Sequence, residues 1–345
     1  GLGEVAGRVH PERPEHLLRG DLQLDVRLPL GQLLTAGGEL LYERLYTPRL
    51  ATGEGDRLRG AVFVQDQWQV AKAVGLSLVP ALRFDVDSQF GTNWAPKLAL
   101  RFAPLPALTA RFGYGAGFRA PQFKELLLLF ENAGAGYLVS GNTSLRPETS
   151  HSFNLGIESA PVPWLQLSGN LFRNNLRNLI QPLLTDPGSS AGPQRFSYGN
   201  IAEAYTQGVE LSAKLRHSDK FGLELGYTLT DAWDVQQQRA LEGRPRHRGS
   251  ISLSLRHPDS GIDFQTRLAV VGPRPYYSDE EGDGVSERVD AAAYVLWDAR
   301  LELAFSRQLA GFVGGQNLLD AGDVRFLPIA PRSLFVGLSV RGERQ

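Results

Sequence analysis

The chain has 345 residues, 42% of them apolar and 21% charged, with neither cysteine nor methionine. A formal net charge of −1 gives it no whole-chain attraction for nucleic acid or anionic lipid. The lack of cysteine excludes disulfides, thiolate catalysis and zinc–thiolate sites together, and leaves the redox compartment open. A chain without methionine does not begin at its own initiation codon, so Gly1 is expected to mark a processed end or the start of a segment of something longer. The longest unbroken apolar run, from Ala291 to Trp297, falls well short of the ~20 residues that a membrane-spanning helix requires.

Period-two alternation recurs along the chain. From Leu22, the residues Leu22, Leu24, Val26 and Leu28 share one face and Gln23, Asp25 and Arg27 the other, as in a strand between an apolar and a polar medium. Similar segments follow at 33–46, 58–71, 74–86, 94–102, 108–114, 152–158, 164–172, 209–215, 223–229, 251–255, 262–271, 301–305, 312–317 and 333–340, about fifteen in all. The connections alternate too. Tight ones fall at 29–32, 71–74, 104–106, 161–163, 217–220, 257–261 and 307–310. Long ones fall at 47–57, 116–148, 181–203, 231–245, 273–293 and 318–332, and 87–93 is the one short member of this second set.

Alternating short turns and long loops predict an all-β fold, a transmembrane antiparallel up-and-down β-barrel with turns in the periplasm and loops outside. A β-propeller would need a blade motif repeating every ~40–50 residues, and none is found. Asp25, Lys214, Glu224, Arg267 and Glu302 fall mid-strand on the polar face, where an aqueous lumen accommodates them and a packed sandwich core does not. Residues 1–19 are expected as an extracellular loop and 20–341 as strands and loops. An odd strand count cannot close a bacterial single-chain barrel, so at least one further strand is expected from outside this chain.

The segment 115–150 carries the most specific pattern: Gly117-Phe118-Arg119-Ala120-Pro121, then Glu125-Leu126, Gly141-Asn142, and Leu145-Arg146-Pro147-Glu148 with Ser150. Further matches are Phe63, Gln65-Asp66, Leu82-Arg83-Phe84-Asp85, Pro96-Lys97-Leu98, Tyr198-Gly199-Asn200, Gly208-Val209-Glu210 and Asn317-Leu318-Leu319-Asp320. In this order they resemble the C-terminal part of the barrel of a TonB-dependent outer-membrane receptor, over essentially the whole chain from about residue 20. The resemblance implies about fifteen strands of a barrel of about 22 with a plugged lumen. It also implies that the plug domain and first strands lie outside this chain. The chain departs from the family in its end, Arg341 to Gln345, where an aromatic residue is usual.

Gly113, Gly115 and Gly117 read as glycines where a strand bends into a loop, because a phosphate-cradling loop needs a following helix and a parallel strand. Arg119 and Glu148 are expected to hold the base of loop 116–148 against the wall, with Gly117, Phe118, Pro121, Glu125, Asn142, Pro147, Asn200 and Asn317 as the rest of the scaffold. Residues 122–130 are expected to include a short amphipathic helix. For ligand contact the candidates are Trp233, Arg274, Tyr276, Tyr277, Arg325 and Phe326, exposed aromatic faces and guanidinium groups suited to a bulky, anionic or metal-chelating ligand. Anchoring at the membrane interface is the equal alternative for the aromatics, and Trp68, Trp164 and Trp297 read as girdle residues. The acidic run Asp279 to Asp283 lacks the EF-hand spacing and reads as a solvated loop before a calcium site.

No Gly-x-Ser-x-Gly elbow occurs, the six histidines show no zinc-ligand spacing, and His247 near Asp231 reads as a surface residue, so no enzyme is expected. Asp25, Glu210, Glu224, Arg267 and Glu302 are candidates for contact with the plug. The resemblance implies TonB-coupled uptake, with no resident cofactor, of a large scarce ligand: a ferric siderophore, haem or cobalamin, which itself brings iron or cobalt. The expected partners are outer-membrane lipid, the plug domain and N-terminal strands, and the TonB complex. The rival reading is a structural or pore-forming barrel subunit without transport.

Overall fold

Hydrocarbon offers no water to an unpaired amide, so a chain crossing it as strands must satisfy its backbone through neighbouring strands. The computed structural model describes residues 15–132, 136–186, 194–278, 287–306, 308–322 and 329–340. Its elements in chain order are β1 (Glu15–Leu28), β2 (Gln32–Tyr46), β3 (Glu54–Ala71), β4 (Leu76–Asp87), β5 (Gly91–Leu105), β6 (Leu108–Arg119), the helix α1 (Phe123–Leu127), β7 (Leu129–Asn132), β8 (Tyr137–Ser140), β9 (Glu148–Val162), β10 (Leu165–Asp186), β11 (Gln194–His217), β12 (Phe221–Asp234), β13 (Arg239–Ala240), β14 (His247–His257), β15 (Ile262–Val271), β16 (Arg274–Ser278), β17 (Glu287–Ala291), β18 (Tyr294–Ala304), β19 (Leu309–Gln316) and β20 (Ser333–Val340).

Among the described residues, fifteen of these strands form one antiparallel meander. β1 to β6 pair in order, β6 pairs with β9, and β9 to β12 follow. β12 then pairs with β14, β14 with β15, β15 with β18, and β18 to β20 close the series. The others belong to the long loops: β7, β8 and β13 attach to the main sheet, while β16 and β17 make a separate hairpin.

Registers sort the side chains onto two faces. Leu22 is 78% exposed, Val62 58%, Leu211 51% and Val336 83%, all on one face. Such large exposed apolar chains would be a liability in water; around a barrel they form the lipid-facing band. The other face sets polar groups opposite one another, as in the pairs Asp25↔Thr35, Asn170↔Glu210, Lys214↔Glu224 and Arg267↔Asp298. Trp68, Trp164 and Trp297 are partly exposed, and Trp297 Nε1 donates to Thr266 Oγ1 at 2.8 Å. Trp94, not singled out from the sequence, packs on Phe84 with ring centroids 4.4 Å apart.

The tight turns use short 3-10 segments at Pro29–Gly31, Lys72–Val74 and Pro258–Ser260. Gly75 and Gly261 follow two of them at φ 60° and 68°. A Cβ at either would come within 2.6 Å of the Ala103 carbonyl or 2.8 Å of the Ala304 carbonyl, so the turn packs this close to the next strand only with glycine.

Three boundaries differ from expectation. β1 starts at Glu15 rather than 20, because β2 is long enough to keep pairing up to Glu15↔Leu45; residues 1–14 lie outside the described ones. The expected loop 181–203 is largely strand, since β10 and β11 run for 22 and 24 residues. Roughly 9–11 residues suffice to cross a bilayer, so this hairpin stands well beyond it, and β8 adds to β11 in parallel at Gln194↔Tyr137. The helix expected within 122–130 is the single turn α1, after which the chain returns to strand.

Placing arginine on the lipid face is expected to destabilise the wall by about 2–4 kcal/mol near the bilayer midplane, while the same change on the inner face is nearly neutral. Val64→Arg and Gln65→Arg, compared by urea unfolding of the whole receptor in lipid vesicles, should differ in that direction.

Candidate functional site

The pattern around residues 117–150 gathers at the loop-side end of the wall. β6 ends at Arg119, opposite Glu148 at the start of β9, and α1 brings Glu125 against both. Arg119 Nε donates to Glu148 Oε2 at 2.7 Å, Nη2 donates to Glu148 Oε1, and Nη1 reaches the two Glu125 oxygens at 3.1 and 3.0 Å. Each carboxylate has a second duty. Glu125 accepts from the Gln122 N–H at 2.7 Å, completing a capping box for α1, and Glu148 accepts from the Ile180 N–H at 2.8 Å on β10. One guanidinium thus ties two strands, a helix and a third strand together.

The same loop is held from below by Arg57 on β3. Arg57 is buried at 4% exposure, donates to the Pro121 carbonyl at 2.8 Å and stacks 5.1 Å from the Phe123 ring centroid. Pro121 is fully buried. Sequence reasoning missed Arg57; its place on β3 in phase with the inward Phe63 and Gln65 was the available signal. On the other side, Leu126, Leu145 and Ile180 form an apolar cluster with Phe90, Leu127 and Tyr198. A Cβ on Gly141 would meet the Leu126 carbonyl group at about 2.4 Å, so only glycine lets the returning chain pass.

Three asparagines finish the scaffold. Asn142 donates to the Tyr198 carbonyl at 2.8 Å; Asn200 accepts from the Arg146 N–H and donates to the Arg146 carbonyl, both at 2.9 Å. Asn317, 5% exposed and at φ 48°, donates through Nδ2 to the Ala321 and Ala330 carbonyls at 2.7 and 3.0 Å. Its N–H donates to Asp298 Oδ1 at 2.9 Å. Gly117 and Phe118 lead β6 into Arg119, and the Pro147 carbonyl faces the Asn178 amide at 3.4 Å.

Four of the ligand-contact candidates lie within the described residues, in less exposed places than expected. Arg274 is buried at 6% and lies 5.2 Å from the Tyr294 ring centroid. The Tyr277 hydroxyl donates to the Ala240 carbonyl at 3.1 Å under the Arg239 guanidinium, which is 3.9 Å from its ring centroid. Tyr276 sits beside Gly243, whose N–H donates to the Pro275 carbonyl at 2.8 Å, and Trp233 pairs with Ala240 on β13. None of these four is an exposed tip, and Tyr276 and Tyr277 join residues 239–243 to the β16–β17 hairpin. Arg325 and Phe326 lie outside the described residues, as does the acidic run at 279–283.

Asp25, Glu210, Glu224, Arg267 and Glu302 all fall on the polar inner face. Thr35 donates to Asp25 at 2.6 Å, Asn170 to Glu210 at 3.2 Å, Lys214 lies 3.7 Å from Glu224, and Arg300 is 2.7 Å from Glu302. Glu224 and Arg267 line a hollow of about 860 Å³ toward the turn side. A second hollow of about 700 Å³ lies toward the loop side, walled by β2 to β6 and the chain around Arg119. Among the described residues, no group of three or more His, Cys, Asp or Glu side chains could hold a metal ion.

Arg119→Met would leave Glu125 and Glu148, only 10% and 12% exposed, facing each other without a cation. Faster deuterium exchange at the amides of residues 120–132 and 136–147 and a loss of about 1.5–3 kcal/mol are expected. Arg177→Met, which breaks the well-exposed pair with Glu203, should change stability by less than about 1 kcal/mol.

A family model described as TonB dependent receptor-like, beta-barrel, matches residues 16–318. The ferric enterobactin receptor PirA of Pseudomonas aeruginosa is 26% identical, over 92% of this chain and 48% of its own length. The vitamin B12 transporter BtuB of Vibrio vulnificus is 33% identical over 39% of this chain and 19% of its own. Among solved structures, the siderophore receptor PirA of Acinetobacter baumannii superposes with a TM-score of 0.76 at 19% identity, covering 94% of this chain and 54% of that one. The chain spans about half the length of curated relatives that it matches nearly end to end. That family is one of receptors and transporters rather than enzymes. With its apolar outer band, polar inner face and the family pattern knotted at the loop base, the chain belongs to the TonB-dependent receptor β-barrels of the outer membrane.

Proposed function

We propose that the protein to which this wall belongs is an outer-membrane receptor that takes up a ferric siderophore by TonB-coupled transport. The observation that carries this reading is the family match along the meander, together with relatives that are ferric enterobactin receptors over 92% and 87% of this chain. Vitamin B12 transporters match shorter stretches, 39% in one case and 70% in another, which supports cobalamin less strongly.

Each part of the wall has a role in this reading. The loop-side surface captures the ligand. The inner face, with Asp25, Glu210, Glu224, Arg267 and Glu302, provides hydrogen-bonding and ionic contacts for a plug domain. Energy from TonB then rearranges the plug and opens a path along that face. The wall makes no covalent bond; it binds, orients and excludes. The knot at Arg119 keeps the base of the longest described loop fixed while the ligand passes.

Deletion of the gene should abolish growth, or slow it severalfold, on at least one ferric siderophore as sole iron source, and complementation should restore it. Normal growth on every ferric siderophore tried, with a defect only when cobalamin is limiting, would favour cobalamin. No defect on either supply would sink the uptake reading.

A further inference from the structure

The lipid side of β3 carries one carboxylate in the middle of an apolar run. Its outward positions are Leu58, Gly60, Val62, Val64, Asp66, Trp68 and Val70, in phase with the exposed Val62, Val64 and Trp68. By register, Asp66 faces lipid between Leu34 of β2 and Pro80 of β4. Among the described residues, the turn-side halves of the strands present no other Asp or Glu, and no Lys or Arg, at an outward position. An ionisable group on the membrane face costs stability, and it marks a contact with a partner of opposite charge.

A second observation concerns hydrogen bonds. Asp66 Oδ1 is covered by the protein and has no hydrogen-bond partner, while Oδ2 keeps an open side and has none either among the described residues. Trp68 lies two residues further toward the turn, roughly 7 Å along the strand, and Gln32 of β2 pairs with it in register. Neither the Trp68 indole N–H nor the Gln32 side-chain amide has a partner among the described residues, whereas the Trp297 indole N–H is satisfied within the wall by Thr266. One spot on the lipid face therefore offers an anionic acceptor beside two neutral donors.

We propose that Gln32, Asp66 and Trp68 form a site on the outer surface of the barrel for an aminophospholipid of the periplasmic leaflet. Asp66 accepts from the primary ammonium, and Trp68 and Gln32 donate to the phosphate. With strands tilted by about 40°, the step from Asp66 to Trp68 is nearly as much sideways as in depth, so a headgroup whose ammonium and phosphate are one ethylene apart, lying along the membrane surface, reaches both. A second copy of this chain does not fit the spot, because the described part of its own lipid face has no lysine or arginine at that level to give. A choline headgroup carries the same charge without an N–H, so the carboxylate separates the two, a charge-assisted hydrogen bond being about twice as strong as a neutral one.

The test uses the purified full-length receptor and three lipids with the same acyl chains: phosphatidylethanolamine, phosphatidylcholine and phosphatidylglycerol. In competition followed by native mass spectrometry, the wild type should retain the ethanolamine lipid about threefold to tenfold over either of the others. Asp66→Asn should abolish that preference and Asp66→Glu should keep most of it. Trp68→Phe should weaken all three lipids alike, by about twofold to fivefold. The heat-dependent gel mobility that reports a folded barrel should stay unchanged in each variant. The position is read with a hydrophobic carbodiimide in ethanolamine-lipid vesicles, which joins a carboxylate to an adjacent primary amine as an amide. The tryptic peptide 60–72 has Asp66 as its sole carboxylate, so its lipid-bearing form reports this contact alone.

Equal retention of the ethanolamine and choline lipids by the wild type overturns the proposal, and this comparison needs no variant to fold. So does a peptide 60–72 that carries no lipid, or an Asp66→Asn receptor that keeps the preference. An Asp66→Asn receptor that loses all three lipids together also overturns it, since a merely structural role would give that result.

Discussion

Everything in this molecule follows from the bilayer's refusal to hydrogen-bond. A strand in hydrocarbon has to give every amide a neighbour, so the chain turns back on itself repeatedly and, among the described residues, presents the same two faces fifteen times. Period two is then the only side-chain repeat available, and it divides each strand between lipid and water. Leu22 and Asp25 lie three residues apart on β1 and face opposite media. The exposed leucines and valines that would make a soluble protein aggregate are here the condition for insertion.

The inner face obeys a different rule. Charged groups there are wet, so they can stand alone or in pairs of modest strength, and many do both within one strand pair. Near the loop base the surroundings dry out, and the behaviour changes with them. Arg57 is buried and stacked, and the Arg119 carboxylate partners are both nearly buried. An ion cluster in such a place is held by completeness: each carboxylate receives a guanidinium and a backbone N–H, and no single member can leave without stranding the others.

The strand faces and the alternation of turns and loops were legible because both are local: residues two apart share a face, and a tight turn announces itself in a few positions. The Arg119–Glu148 pair was legible from the family pattern. Arg57 was not, since it is 64 residues from the Pro121 carbonyl it meets, and its phase with Phe63 and Gln65 marks an inward side chain without marking a buried one. Arg274 and Tyr277 were expected at exposed tips for the related reason that residues 239–243 and 275–277 pack on each other, which no single-loop composition reveals. The length of β10 was missed because its upper half, with Leu176, Leu179, Ile180, Leu183 and Leu184, lacks the period-two alternation that lipid imposes lower down.

That upper half has a mechanical meaning. At roughly 3.3 Å per residue, the 22 residues of β10 trace about 70 Å, and a tilted crossing of roughly 9–11 residues uses half of that or less. The remainder is a ribbon raised above the lipid surface. Two strands alone make a floppy ribbon, but β8 joins it from the side at Gln194–Phe196 and Asn142 and Asn200 pin its root. The result is a stiff mast whose bending would have to break the loop base first, so a force applied at its top is delivered to the Arg119 cluster at its foot.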